Sequence, residues 1–321
     1  TRYIGDWSSD VCSSDLANWE PDFARVSQIW RAHWDAVYPR QQVDGVIAID
    51  TVASAGLLQA TGPITVQGTE LTSENLVDQL LSGVYARFVQ PADQDRFFQD
   101  TATTLFDAVT QNVSDPTALI TALSEGASEH RILIQSNDPA EQQVLDRFPV
   151  SGALPGTDTA PGVGVYVVDA TGAKMSYYLR PHVEVRPVSC DGSRQTIEVT
   201  VQLTSTLTPA QALTIPDYVV GDYRDLRLNR GAQTVAVSVF GPAGGKVVAL
   251  DDRELVDPTY LSREQYGRPL LRRFLTVEPD GTATARWQIT TAAGQTDDPQ
   301  VSLTPGIVTK PDLQVGQAFC F

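Results

Sequence analysis

Between Tyr85 and Phe98 the chain reads YARFVQPADQDRFF, which sets two arginines, Arg87 and Arg96, around two carboxylates, Asp93 and Asp95. Guanidinium groups grip phosphate oxygens in bidentate fashion, and paired carboxylates hold a divalent ion beside a phosphate. The stretch is therefore a candidate phosphate site, with Arg87 and Arg96 as phosphate ligands and Asp93 and Asp95 as metal ligands. The competing reading is a solvated loop between two helices, whose charges pair at the surface for about 0–1 kcal/mol each. Asp44 and Asp50 bracket the apolar run GVIAI, and carboxylates at strand ends of α/β sheets often face a ligand crevice. Their plainer roles, which the pattern favours, are a turn at Asp44-Gly45 and a helix N-cap at Asp50.

Other chemistry-bearing residues are scattered. His33, His130 and His182 have no neighbour at ligand spacing, which argues against a metal or triad role. GVGVYVVD carries glycines but lacks the G-x-G-x-x-G ending and a following helix, so it is not a nucleotide loop. Asn112-Val113-Ser114 is a formal glycosylation triplet. Cys190 and Cys320 lie far apart, the second one residue from the end, which suits a staple tying down the C-terminus in an oxidising compartment. Two independent buried thiols are the alternative, and spacing alone does not separate the two.

The opening stretch, TRYIGDWSSDVCSSDL, has no apolar periodicity. Cys12 is flanked by Asp10 and Asp15, which would raise a thiol pKa where catalysis needs it lowered, and no second zinc ligand is nearby. Back-translated, Asp6–Leu16 is one frame of a widely used sequencing adapter. We therefore read Thr1–Leu16 as adapter-derived and start the genuine chain near Ala17, with its N-terminal part missing. Setting that stretch aside leaves 22 basic against 36 acidic residues, a net charge of −14 where the whole sequence carries −16. So acidic a chain repels phosphate backbones, which excludes nucleic acid as a partner. Only three of the 23 basic residues are lysines, a bias that reflects GC-rich coding.

The elements that must position these residues fall into two textures. After EPDF, the residues Phe23, Val26, Ile29, Trp30 and Trp34 recur at helical spacing, which predicts a helix over about 21–37 with Pro21 in its first turn. VDGVIAID reads as a short strand, TVASAGLLQAT as a helix ending at Gly62-Pro63, and PITVQG as another strand. TSENLVDQLLSGVYARF opens with a capping-box pattern and places Leu76, Leu80, Leu81 and Val84 on one face. Phe97 to Val109 continue a long helix, a third follows near 116–125, HRILIQS is a buried-type strand, and DPAEQQVLDRF is a helix with a first-turn proline. Strands alternating with helices predict an α/β layer over 17–160. From 161 to 321, seven alternating or β-branched runs separated by turns predict an antiparallel β-sandwich. In KMSYYL, strand alternation would set Tyr177 and Tyr178 on opposite faces.

The blocks VDGVIAID…LLQATGPITVQGTELTSENL, RILIQSNDPAEQQVL, GALP, VGVYVVDATGAKMSYYL and the later Cys190 occur in an order and spacing that resemble the actinobacterial family termed domain of unknown function 4012. That resemblance spans most of 17 to about 321. It implies an extracytoplasmic protein anchored in the cell membrane by an N-terminal helix, with an arginine-bearing block ahead of the point where this chain begins. A looser similarity links VDGVIAID…LLQATGPITV and YARF…DQDRF to LytR-CpsA-Psr enzymes, which transfer glycopolymers from a lipid pyrophosphate to the cell wall. Carried over, Arg87 and Arg96 would bind the pyrophosphate, and Asp93 would bind the metal or orient an arginine. Gly62-Pro63 stands where those enzymes have two glycines, and their R-x-x-R-Q run is missing.

The expected architecture is thus an incomplete LytR-CpsA-Psr-like α/β domain followed by an immunoglobulin-like β-sandwich. Two functions are open: a non-catalytic envelope scaffold that recognises a cell-wall glycopolymer or an envelope protein, and a phosphotransferase or hydrolase acting on lipid-linked saccharide. The first is favoured, since no complete catalytic set is in view. It needs no cofactor, whereas the second calls for a divalent cation.

Overall fold

The computed structural model describes residues 17–221, 223–250 and 261–320. Thr1–Leu16, including Cys12, and positions 251–255, the end of one of the seven expected strand runs (KVVALDDREL, 246–255), lie outside the described residues. The chain forms two compact units, one ending at Ala153 and also taking in Ile307–Thr309, the other made of Leu154–Gly306 and Lys310–Phe321. The sequence pattern sets the change of texture between 160 and 161.

In the first unit, α1 (Phe23–Val37) begins one residue after Asp22, whose carboxylate accepts the Arg25 N–H at 2.9 Å. Pro21 therefore precedes the cap and is not part of the first turn. Phe23 and Val26 are buried, and with Ile29 and Trp30 they pack on Val46, Ala48 and Leu133. Val46 and Ala48 come from β1 (Gly45–Ile49), and the helix after it, α2 (Thr51–Thr61), is capped by Asp50. α2 ends at Gly62, whose φ of 83° is the left-handed conformation that glycine adopts without strain.

β2 (Ile64–Val66) and β3 (Thr69–Leu71) form a hairpin. Its two-residue turn, Gln67-Gly68, has φ of 47° and 77°, the positive pair of a type I′ turn. Thr72 and Asn75 then cap each other: the Thr72 hydroxyl accepts the Asn75 N–H, and Asn75 Oδ1 accepts the Thr72 N–H at 2.9 Å. The helix runs as α3 (Leu76–Asp78), a π turn (Gln79–Gly83) and α4 (Val84–Arg87). The extra residue of a π turn rotates the downstream helical segment by roughly 100° relative to an uninterrupted α-helix.

α5 (Pro91–Gln111) and α6 (Pro116–Ser128) come next, each with proline in its first turn. Leu57, Leu58, Ile64, Leu71, Leu76, Val84, Phe97 and Leu105 share one core. β4 (Ile132–Ser136) pairs antiparallel with β1, from Gly45↔Ser136 to Ile49↔Ile132. The unit is mixed α/β, but its two described sheets are both two-stranded antiparallel ladders. Ile47 and Ile49 are 63% and 43% exposed, so β1 is covered on one face only, not a fully buried strand. α7 (Pro139–Leu145) starts at Asp138, whose carboxylate caps Ala140 and Glu141.

The second unit contains two five-stranded sheets around a common core. The first runs in the order β10 (Leu261–Gln265), β11 (Arg268–Val277), β8 (Gln233–Phe240), β5 (Gly162–Asp169), β13 (Gln300–Leu303). The second runs β14 (Asp312–Val315), β6 (Leu179–Asp191), β7 (Arg194–Ser205), β12 (Thr282–Thr290), β9 (Lys246–Ala249). Val163, Val165, Val235, Val237 and Val239 of one sheet and Val183, Val185, Ile197, Val199, Val201 and Trp287 of the other are almost wholly buried in one cluster. Period-two alternation put these side chains on the inner faces, as in a β-sandwich. All seven expected runs form strands, whereas β3, β10, β13 and β14 carry too little apolar pattern to be read from sequence. β13 and β14 pair in parallel with β5 and β6 and occupy sheet edges. Ser176–Tyr178 is a 3₁₀ turn, so Tyr177 and Tyr178 do not alternate across a strand; their rings meet edge to face at 5.1 Å.

Candidate functional site

The stretch singled out by its charges is mostly helical. Only Phe88–Gln90 separates α4 from α5, and Asp93, Asp95 and Arg96 lie within the first two turns of α5. The expected interhelical loop is thus three residues long, because Pro91 starts the next helix at once. Asp93 and Asp95 stand two apart on that helix, a spacing that points side chains away from each other. Asp93 pairs with Arg96 at 3.6 Å, both partners well exposed. Among the described residues no group of three His, Cys, Asp or Glu comes together to hold a metal ion.

Arg87 has a different set of partners. Its guanidinium donates to the Thr69 hydroxyl and, at 3.2 Å, to the Gln67 carbonyl, both in the β2–β3 hairpin. Its carbon lies 4.8 Å from the Phe88 ring centre and 5.5 Å from that of Phe97. The phases set by the π turn and by the Gln67-Gly68 turn meet here, and Arg87 fastens the hairpin to the helical layer. Arg87 and Arg96 share no partner in these contacts.

Next to this clamp, the hairpin and α5 border an open cleft of about 380 Å³ lined by Thr65, Val66, Gln67, Gln99, Asp100, Thr103 and Thr104. Gln67 Nε2 donates to Asp100 Oδ2 at 2.9 Å across it. The Thr103 and Thr104 hydroxyls donate back to the carbonyls of Gln99 and Asp100, which leaves their oxygens as acceptors. Sequence reading missed this cleft: its residues come from two segments some 35 positions apart, and none is chemically conspicuous.

Asp50 is the N-cap, as its plainer role required: Oδ1 accepts the Ala53 N–H at 2.7 Å. Its other oxygen receives Arg131 Nη1 at 2.6 Å, and Arg131 Nε reaches Glu129 at 2.6 Å. The Arg131 side chain is only 2% exposed and also donates to the Val308 carbonyl at 2.5 Å. A desolvated guanidinium held by two carboxylates is a structural pin. The sequence signal for it was a lone arginine opening the apolar run ILIQS. Asp44 precedes β1, and Gly45 is the first strand residue, not part of a turn.

The three histidines occupy separate elements. His130, at φ 56°, is half-buried; burial lowers its pKa, and a hydrogen bond to the Pro149 backbone opposes that shift. His182 meets Asp312 at 2.8 Å across the β6–β14 pair. Cys190 and Cys320 form a disulfide, with Cα atoms 5.3 Å apart. GVGVYVVD is the strand β5, with Val163 and Val165 in the core. No helix among the described residues is long and apolar enough to cross a membrane.

Neither a curated protein nor a solved structure matches the chain. A family model does, and its match begins at Gly5, inside the stretch read as adapter. Over residues 5–85, which include β1, α2, the hairpin and the start of α4, the chain matches the family described as Protein of unknown function (DUF4012).

Proposed function

We propose that the protein is a non-catalytic scaffold of the cell envelope, working outside the cytoplasm and recognising a glycopolymer or another envelope protein. The observation that carries this reading is the separation of the charged residues: Arg87 serves the hairpin, and Arg96 pairs with Asp93 on the surface. A pyrophosphate-transferring centre needs its cations and metal ligands aimed at one point. The disulfide fits an oxidising compartment, where such bonds persist. Anchoring through a transmembrane helix ahead of the described residues belongs to the same reading, and the second unit serves as an immunoglobulin-like docking module.

One observation favours the alternative, a LytR-CpsA-Psr-like transfer or hydrolysis on lipid-linked saccharide assisted by a divalent cation. Arg96 is 67% exposed, so a phosphate has access to it. The two readings separate on binding of a polyprenyl pyrophosphate saccharide in magnesium-containing vesicles. Arg96→Ala with Arg87→Lys keeps a cation over the hairpin while removing the bidentate grip. The scaffold reading expects no binding that depends on the two arginines, and thus no effect of the variant. Saturable binding lost in the variant, with an unchanged melting curve, would overturn it.

A further inference from the structure

We propose that the cleft between the β2–β3 hairpin and α5 binds an uncharged oligosaccharide. This deepens the glycopolymer-binding reading above and rests on it.

The lining selects the ligand class. It offers two amides (Gln67, Gln99), three hydroxyls (Thr65, Thr103, Thr104) and one carboxylate (Asp100), and no cation. Phosphate and sulfate need guanidinium or ammonium partners, and a carboxylate repels them. Arg87, beside the cleft, turns its guanidinium to Thr69 and the Gln67 carbonyl. An apolar ligand would need apolar walls, yet the one aliphatic lining residue, Val66, is 2% exposed. A neutral polyol fits what remains, because each of its hydroxyls both donates to carboxylate or carbonyl oxygens and accepts from amide N–H groups.

A second feature lies on the same helix. Phe106 is 67% exposed, although no core demands it there. Gln99, Thr103 and Phe106 are spaced i, i+4, i+7, so they share one side of α5 over an axial length of about 10 Å. The polar cleft is thereby continued by an aromatic surface, on which the C–H face of a pyranose ring packs. Together they suit two or three sugar rings lying along the helix. An open cleft buries a modest share of its ligand, so a single site binds weakly, at roughly 10⁻⁴–10⁻³ M.

The test is the full chain on a glycan array of neutral, phosphorylated and carboxylated oligosaccharides, followed by titration of the best neutral ligand monitored by NMR. Thr103→Arg fills the cleft and Phe106→Ala removes the platform. Both positions are exposed, and Leu123→Ala, at an exposed site on α6, is the control. The expected result is retention of neutral glycans, tenfold weaker in each cleft variant and unchanged in the control. Retention of charged glycans only, or of none, would overturn the assignment, and the second result would leave the scaffold reading with protein partners alone. Neutral glycans bound equally by all variants would also overturn it while leaving glycopolymer recognition intact at another surface.

Discussion

Arg131 and Asp50, 81 residues apart in sequence, meet at 2.6 Å where β1 gives way to α2 and where β4 begins. The Asp50 N–H donates to the Arg131 carbonyl at 3.0 Å, so backbone and side chains join the same two points. A carboxylate that caps a helix with one oxygen and neutralises a buried cation with the other couples α2 to the β1–β4 ladder.

Removing the cation leaves Asp50 and the more buried Glu129 side by side without a counter-charge. Arg131→Met is expected to cost about 3 kcal/mol, the low end for a broken buried pair because both carboxylates retain some access to water. Urea denaturation measures this, and Asp50→Asn combined with Arg131→Met should cost less than the sum of the two single changes.

His130 gives the first unit a defined acid sensitivity. Burial lowers its folded-state pKa below the ordinary histidine value of 6.5. The unfolded chain therefore takes up the proton first, and the associated stability is complete above pH 6.5 and lost as pH falls through the folded pKa. His130→Asn suits the positive φ and does not titrate. Stability measured from pH 7.5 to 5 should fall less steeply in this variant than in the parent, and an unchanged slope would show that other groups set the acid limit.

Gly45 allows β1 to approach β4. A Cβ built there would stand 2.4 Å from the Gln135 carbonyl oxygen, which is backbone and has no rotamer to yield. Gly45→Ala should destabilise by about 1–3 kcal/mol, as overpacking does. Gly68→Ala, with nothing within 4 Å of its Cβ but a φ of 77°, isolates conformational strain from steric conflict. Both are read from thermal melts.

Periodicity made the long elements legible. α1, α2, α5 and the seven strand runs follow from apolar spacing, since each must present a continuous face to a core. The short edge strands were hidden because four rungs leave too few residues for an alternation to show: DLQV of β14 is exposed at three of its four positions. The charges of YARFVQPADQDRFF were legible as residues but not as a site. What decides their use is direction, set by the π turn before Arg87 and by the helix that Pro91 starts, and neither is written in the spacing of the charges. The cleft was illegible for a related reason, since amides and threonines acquire meaning only when a hairpin and a helix face lie together.

The disulfide closes a loop of 130 residues around most of the second unit. Beside it, β14 is held to β6 by four parallel rungs, the Asp312–His182 pair and the partly buried Leu313. In the chain-entropy account, opening so long a loop costs about 5 kcal/mol. That term belongs to global unfolding; locally the crosslink also keeps β14 beside β6, where four edge rungs and one half-exposed ion pair are a weak hold, so without it order should be lost first in β14. Cys190→Ser with Cys320→Ser is expected to leave β6–β7 and Trp287 protected while amides of Asp312–Val315 and Gly316 exchange at near-free rates. Hydrogen exchange by mass spectrometry, on the oxidised chain and the double variant, reads this directly. Equal protection of β14 in both would mean that its backbone pairing and Leu313 suffice, and that the disulfide acts only on the unfolded chain.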